Sequence, residues 1–322
     1  MNHDAIGDAV RLLEAGRLVG LPTETVYGLA ADAANDSAVR AIYAAKGRPA
    51  DHPVIVHLHR DADPLRWARE LPDAARRLIE AFWPGPLTLV LPRREGVAQV
   101  CAAGQDTIAL RCPDHPLAQA VLGALHGGQG GLAAPSANRF GRISPTRAEH
   151  VRAELGDAVA MVLDGGPCSV GIESTIVDCS SEHPRILRPG GLSAGRLAEV
   201  LGVEPHSLRA DAAAPAPRVP GALASHYAPR TPLRLREAAD IDTEWPRSCA
   251  HTAVLARRAA VAGAHAHWLA LPADPQGYAQ ALYAALRALD ALGLRQIWVE
   301  QLPGQADWDA ARDRLRRAAS LP

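Results

Sequence analysis

The chain has 322 residues, nearly half of them hydrophobic, and its 34 basic and 35 acidic residues leave a net charge of −1. That length exceeds one typical domain and predicts two. Balanced charge argues against a broad basic face for long nucleic acid, and two Phe are too few for a stacking platform, but a local basic pocket is allowed. Five scattered cysteines, with no C-x-x-C pair, argue against a disulfide framework or a cysteine zinc site and predict a reducing, cytoplasmic compartment. The first residues lack a basic segment followed by an apolar run, so no signal peptide is expected, and no apolar run reaches the length of a membrane span.

Residues 4–15 have the spacing of an amphipathic helix stopped by Gly16. Leu18 to Leu21 forms a short buried strand running into Pro22-Thr-Glu-Thr25. Asn35-Asp-Ser37 offers caps for a helix that ends at Lys46. Strands are predicted at 54–58, 87–91, 107–111, 132–134, 159–163 and 175–178, with helices at 73–82, 116–125, 146–155 and 193–201. Between Glu204 and Pro232, prolines at 205, 215, 217, 220, 229 and 232 mark a linker held extended. Beyond it, strands at 253–256, 268–271 and 297–300 and helices at 275–292 and 307–319 suffice for a small, separate α/β domain. The expected division is 1–204, a linker over 205–232, and 233–322. His265 and His267, on alternate residues before Trp268, read as one side of a strand rather than a metal pair, since the further ligands are absent.

Four polar segments adjoin the apolar strands, at 21–29, 46–53, 135–146 and 165–175. Loops at strand ends are where α/β proteins bind ligands, although Gly, Pro, Ser and Asn also dominate ordinary turns. The second segment holds Lys46, the only lysine among 34 basic residues. A compact ammonium kept where Arg serves everywhere else suggests a crowded anionic ligand such as a polyphosphate, with chance survival as the alternative. No P-loop, G-x-G-x-x-G, G-x-S-x-G or H-E-x-x-H is present, so a bound nucleotide needs another framework.

Pro22-Thr-Glu-Thr-Val-Tyr-Gly28, Lys46-Gly-Arg48, Ser136-Ala-Asn138, Ser144-Pro-Thr146 and Gly171-Ile-Glu-Ser-Thr-Ile-Val-Asp178 together resemble the motif set of YrdC-type domains. His226-Tyr-Ala-Pro229, after a proline-rich linker, is similar to the long, two-domain form of the L-threonylcarbamoyl-AMP synthase family. The resemblance implies an α/β fold: a twisted mixed sheet around a deep basic cavity, plus a small C-terminal Rossmann-like α/β domain. It implies a nucleotidyltransferase that condenses L-threonine, bicarbonate and ATP into threonylcarbamoyl-AMP and pyrophosphate. The product would pass to a threonylcarbamoyl-transferase complex that modifies tRNA, with a weak tRNA contact possible for this chain. Mg²⁺ would arrive with ATP, and no protein-held metal is expected.

By the same resemblance Lys46, Arg48, Ser136 and Asn138 are the catalytic set. Nucleotide contacts fall on Lys46, Arg48, His52, Thr107, Asn138, Thr146, Arg188 and Tyr227, and threonine contacts on Thr25, His57, Arg111, Ser136 and Ser174. An arginine at 111 suits a carboxylate, which it meets as a paired fork. Two positions depart from the family pattern. His52 stands where Asn is usual, and Pro220 to Ser225 lacks the basic and aromatic residues that often precede His-Tyr-Ala-Pro. Two other readings share parts of the pattern: a carbamoyl-adenylating enzyme, whose relatives carry extra zinc modules absent here, and a non-catalytic RNA- or nucleotide-binding module.

Overall fold

The computed structural model describes residues 3–209, 216–260 and 267–320. The chain runs through α1 (His3–Glu14), β1 (Val19–Leu21), β2 (Gly28–Asp32), α2 (Asp36–Lys46), β3 (Val56–Leu58), α3 (Asp73–Phe82), β4 (Leu87–Pro92), α4 (Gln99–Ala102) and β5 (Thr107–Arg111). It continues through α5 (Pro116–Ala124), β6 (Gly131–Ala133), α6 (Ala148–Leu155), β7 (Met161–Val162), β8 (Thr175–Asp178), β9 (Arg185–Arg188) and α7 (Ala194–Leu201). The C-terminal part holds β10 (Leu233–Arg236), α8 (Ala238–Ser248), β11 (Thr252–Ala256), β12 (Trp268–Ala270), α9 (Pro275–Asp290), β13 (Gln296–Glu300) and α10 (Asp309–Ala319). Among the described residues no helix is long and apolar enough to cross a membrane.

Nine strands make one mixed sheet in the order β7-β1-β2-β6-β3-β5-β4-β8-β9. Its parallel pairs are β1/β7, β3/β5 and β4/β8, and the rest are antiparallel. A second sheet, β10-β13-β11-β12, is parallel throughout. The mixed α/β architecture therefore matches the sequence expectation, including most strands and helices to within two residues. Helix α2 ends where the caps require. The Asn35 side chain accepts the amides of Ser37 and Ala38, and Gly47 closes the helix at φ 61°, a left-handed conformation that costs glycine little.

Five elements escaped the pattern reading. Strand β2 is Gly-Leu-Ala-Ala-Asp, a sequence without β-branched or aromatic residues, and it forms because it pairs on both sides. Strand β9 is Arg-Ile-Leu-Arg, too short to show alternation, and β10, α4 and α8 were likewise unsignalled. The linker is not uniformly extended: Pro205–Leu208 makes a 3₁₀ turn, and Tyr227 sits at φ 63°. Pro215 and His265 lie outside the described residues.

The C-terminal unit is not separate in its packing. Val26, Ile143 and Ile172 from the first unit join Tyr227 of the linker in one buried cluster with Tyr278, Leu282, Tyr283 and Leu315. Gly171 permits this contact. It lies at φ +76°, and a Cβ there would run into the backbone of Gln280 on α9. Strain and overpacking each cost roughly 1–3 kcal/mol, so Gly171→Ala should lower stability by about 2 kcal/mol or more. Denaturant unfolding of the full chain checks this, and an unchanged midpoint would show that the two units do not rely on this contact.

Candidate active site

Strand pairing lines up one row of side chains across the sheet. His57 on β3 is opposite Arg111 on β5, Arg111 is opposite Thr88 on β4, Thr88 opposite Ile176 on β8, and Ile176 opposite Arg188 on β9. Opposed residues share a face of a sheet. Residues far apart in sequence therefore project from one surface. Loops close around it. Thr25 comes from the β1–β2 connection, while Ser136 bridges to Gly28 at the start of β2. The segment after β6 is laced to that connection by Tyr27 N–H to the Pro145 carbonyl and Ala137 N–H to the Tyr27 carbonyl, both 2.8 Å.

A cavity of about 40 Å³ lies on this surface and is lined by eight of the residues expected from sequence: Thr25, Arg48, His57, Arg111, Ser136, Ser174, Arg188 and Tyr227. Lys46, His52, Thr107, Asn138 and Thr146 are not among its lining residues. Lys46 and Asn138 stand behind the wall. The buried ammonium of Lys46 donates to the Ser136 carbonyl at 2.6 Å and to the Asn138 carbonyl. The Asn138 amide donates to the carbonyls of Arg139 and Arg142 at 2.7 and 2.9 Å. Thr107 begins β5, roughly 13 Å along the strand from Arg111 at ~3.3 Å per residue. Thr146 is buried, and its carbonyl accepts the Cys168 amide. His52 packs edge-on against Phe140, and burial followed by the nearby Arg48 pulls its pKa below the ordinary value.

Carbonyl oxygens hold most of the cations, and the carboxylate charge that reaches Lys46, Arg48 and Arg188 offsets their burial only in part. Arg48 donates to the Pro53 carbonyl at 2.8 Å and lies over the Phe140 ring; burial pulls its pKa down to about 10. Arg188 donates to the Ser174 carbonyl at 2.8 Å, and burial lowers its pKa too. Lys46 is pulled well below the usual lysine value, first by burial and then by Arg48. Only Arg111 has a carboxylate against it. Its guanidinium meets Glu24 at 2.5 Å and the Thr25 hydroxyl at 2.8 Å, and it also donates to the Gly85 carbonyl at 3.3 Å. Sequence reasoning missed Glu24 as that partner, although it sits inside the quoted Pro-Thr-Glu-Thr motif. It also missed Thr88, whose hydroxyl is 2.7 Å from that of Ser174. Only strand register reveals Thr88.

The linker roofs the cavity. Val219 packs with Ile55, Val90, Ala109 and Ile176 on the face that carries the row. The Pro220 carbonyl accepts from Arg188 at 3.0 Å. Tyr227 is almost fully buried, and a Cβ on Gly221 would collide with its hydroxyl, so glycine is required there. The missing basic and aromatic residues before His226 are replaced from elsewhere. Arg317 on α10 donates to the carbonyls of Ala222 and Leu223, and Ser225 donates to the Ser320 carbonyl at 3.0 Å. A far larger groove, about 1900 Å³, is bordered by other linker residues such as Pro217, Val219 and Ala222 and contains none of the expected site residues. Volume alone therefore does not mark the site; convergence of charge does.

Two imidazoles face this cation cluster, and both are uncharged at neutral pH. Burial and then Arg111 pull His57 to about 3, and burial likewise takes His226 to about 3. An unfolded histidine titrates near pH ~6.5, so the unfolded chain takes up these protons first. Their contribution to stability is therefore complete above about pH 6.5 and is lost as pH falls towards 3. Histidine C2–H titration by NMR should show at least three imidazoles without a transition near neutrality, these two and His150, which burial pulls to about 4, and ordinary midpoints for all of them would refute this electrostatic account.

Comparisons with known proteins identify the family. A family model described as "Telomere recombination", for Sua5, YciO and YrdC, matches residues 11–190, and one described as "Threonylcarbamoyl-AMP synthase, C-terminal domain" matches residues 192–320. Threonylcarbamoyl-AMP synthase of Bacillus subtilis (strain 168) is 37% identical over 99% of this chain and 94% of its own length. The enzyme of the same name from Pyrococcus abyssi is 35% identical over 97% of this chain and 93% of its own. The crystal structure of P. abyssi Sua5 complexed with L-threonine matches with a TM-score of 0.84 at 33% identity, over 98% of this chain and 94% of that one. The chain therefore belongs to the Sua5/YrdC family of threonylcarbamoyl-AMP synthases.

Proposed function

We propose that this chain condenses L-threonine, bicarbonate and ATP into L-threonylcarbamoyl-AMP, releasing pyrophosphate, as a cytoplasmic nucleotidyltransferase that serves tRNA modification. The observation that carries the reading is the grouping of Arg48, Arg111 and Arg188 with Ser136 and Ser174 around one cavity, in a chain that matches the family over nearly its whole length. The threonine amine nitrogen bonds to the bicarbonate carbon as a C–O bond breaks and water leaves, which gives a carbamate. A carbamate oxygen then bonds to the α-phosphorus as the bond to the pyrophosphate oxygen breaks. Two anions must meet, so alignment and charge neutralisation matter more than a strong base.

Arg111 pairs with the threonine carboxylate, its orientation set by Glu24 on one edge. Thr25, His57 and Ser174 make the remaining amino-acid contacts, with His57 neutral and able to donate or accept. Arg48 and Arg188 face the polyphosphate, with Tyr227 over the nucleotide. Lys46 holds the carbonyls of the segment that carries Ser136 and Asn138 and adds positive charge behind it. His52, Thr107 and Thr146 belong to the outer part of the nucleotide site in this reading. Mg²⁺ enters on the ATP phosphates. The product passes to a threonylcarbamoyl-transferase complex.

Pyrophosphate release tests the reading: it should require threonine, bicarbonate and ATP together, and its absence with every divalent metal would end it. Lys46→Ala should remove most turnover. Lys46→Arg should cost about tenfold or more, because a planar fork does not fit between two carbonyls that one ammonium serves. Wild-type turnover in Lys46→Arg would contradict that role.

The cavity of about 40 Å³ falls far short of the ~300–1,000 Å³ of small-molecule sites, so the linker and both substrates do not fit together. The linker acts as a gate that must lift for entry. Gly221→Ala, which expels the Tyr227 hydroxyl, should speed proteolytic cutting within residues 216–228 and shorten nucleotide retention. Equal cutting and retention in variant and wild type would disprove the gate.

A further inference from the structure

Nothing in the proposed chemistry uses Glu173, yet it is among the most heavily engaged carboxylates in the chain. It lies one residue before Ser174 and is 6% exposed. One oxygen accepts the Ser144 hydroxyl at 2.6 Å. The other accepts the Tyr283 hydroxyl at 2.9 Å and the Arg314 Nε at 2.7 Å. Tyr283 lies on α9 and Arg314 on α10, so two of three partners come from the C-terminal unit. Arg314 is 1% exposed and also meets Asp313 at 2.9 Å.

The same two residues reach the roof. Tyr283 stacks on Tyr227 with ring centroids 5.8 Å apart, and the Arg314 guanidinium sits 5.1 Å from the Tyr227 ring. Asp313, beside Arg314, receives Arg317 at 3.0 Å, and Arg317 in turn holds the linker carbonyls. A buried ion pair is rarely a net source of stability, because desolvation offsets the attraction. Its cost is better explained by what it orients. Burial alone would raise the Glu173 pKa; Arg314, then Arg188, and the bonds from Ser144 and Arg314 instead hold it at about 2.

We infer that Arg314 and Tyr283 of the C-terminal unit are positioning residues for the amino-acid end of the site, acting through Glu173 to fix Ser174 and, beside it, the closed linker. This rests on the proposed synthase function. Ser174 is where the effect should concentrate. Its hydroxyl meets Thr88, and its carbonyl and hydroxyl accept from Arg188, so a swing of the preceding residue breaks all three contacts. The Arg188 guanidinium keeps its separate tie to Pro220, so the nucleotide end should change less.

The test uses the full-length chain, with KM for threonine and for ATP measured separately from threonine-dependent pyrophosphate release, and unfolding midpoints measured alongside. Tyr283→Phe keeps the stacked ring and removes only the bond to Glu173. It should raise the threonine KM about fivefold or more, as expected for a hydrogen bond to a charged group, while the ATP KM moves less than about twofold. Arg314→Lys retains the charge, loses the fork and should show the same split; Arg314→Met should be more severe. Glu173→Gln combined with Tyr283→Phe should be no worse than Glu173→Gln alone, since both remove one linkage. Equal rises in both KM values that follow a lowered unfolding midpoint, or unchanged KM values in Tyr283→Phe and Arg314→Lys, overturn the inference and leave the synthase reading intact. Wild-type protein without threonine-dependent release overturns both.

Discussion

Removing several cations from water around one small cavity is the constraint to which the rest of the molecule responds. A buried charge is costly unless something replaces its hydration. Here Lys46, Arg48 and Arg188 receive carbonyl oxygens, which orient a cation without cancelling it. Arg111 alone receives a carboxylate, from Glu24. The lowered pKa values of the other three record the uncompensated cost, and an anionic ligand would relieve it. That cost is an electrostatic strain within the folded protein. The sheet makes that strain tolerable. His57, Arg111 and Arg188 emanate from paired strands with backbones already satisfied, so the side chains cannot relax by moving apart.

How much of this was readable beforehand depended on whether a signal was local. Helix α2 could be read because its cap residues and terminal glycine adjoin its apolar face. The four polar loops could be read because each interrupts an apolar strand. Strand β2 could not: Gly28-Leu-Ala-Ala-Asp32 has no strand propensity and is a strand only through its neighbours. Lys46 stands out in the sequence as the only lysine. The structure puts that ammonium between two backbone carbonyls rather than in the cavity wall, a role that suits a point charge with rotatable donors. Thr88, Glu24 and Glu173 illustrate the opposite limit. Register, a buried pair and a contact between sequence-distant units have no local pattern, and Arg314, 141 residues from Glu173, offers none.

Size and site also separate in an instructive way. The groove of about 1900 Å³ borders the linker but lacks the converging groups, whereas the cavity of about 40 Å³ contains most of them. Pro220, Gly221, His226 and Tyr227 of the linker are among the residues that line this small cavity. The linker supplies the closure with small side chains, Gly221 letting the Tyr227 hydroxyl approach and Val219 covering the apolar part of the row. Chemistry that joins two anions benefits from such exclusion of water, because each remaining dipole then acts in a less screened medium.

A shut lid built from alanine, glycine and proline has little adhesion of its own, so its position must be set from outside. Arg317 and Ser225 tie it to α10, and Tyr227 lies between Tyr283 and the Arg314 guanidinium. Those same helices contact Glu173 beneath the amino-acid end. Roof and floor are thus both referred to the C-terminal unit, and Arg188 also ties them directly by donating to the Pro220 and Ser174 carbonyls. The bonds that hold Arg317 to the linker carbonyls are exposed to water, while the bonds from Arg314 to Glu173 and from Arg188 to Pro220 are buried. Water can replace the first set at small net cost but not the second. The difference in solvent access makes residues 222–223 the more easily released part of the linker and leaves Pro220 and Tyr227 its firmly held part.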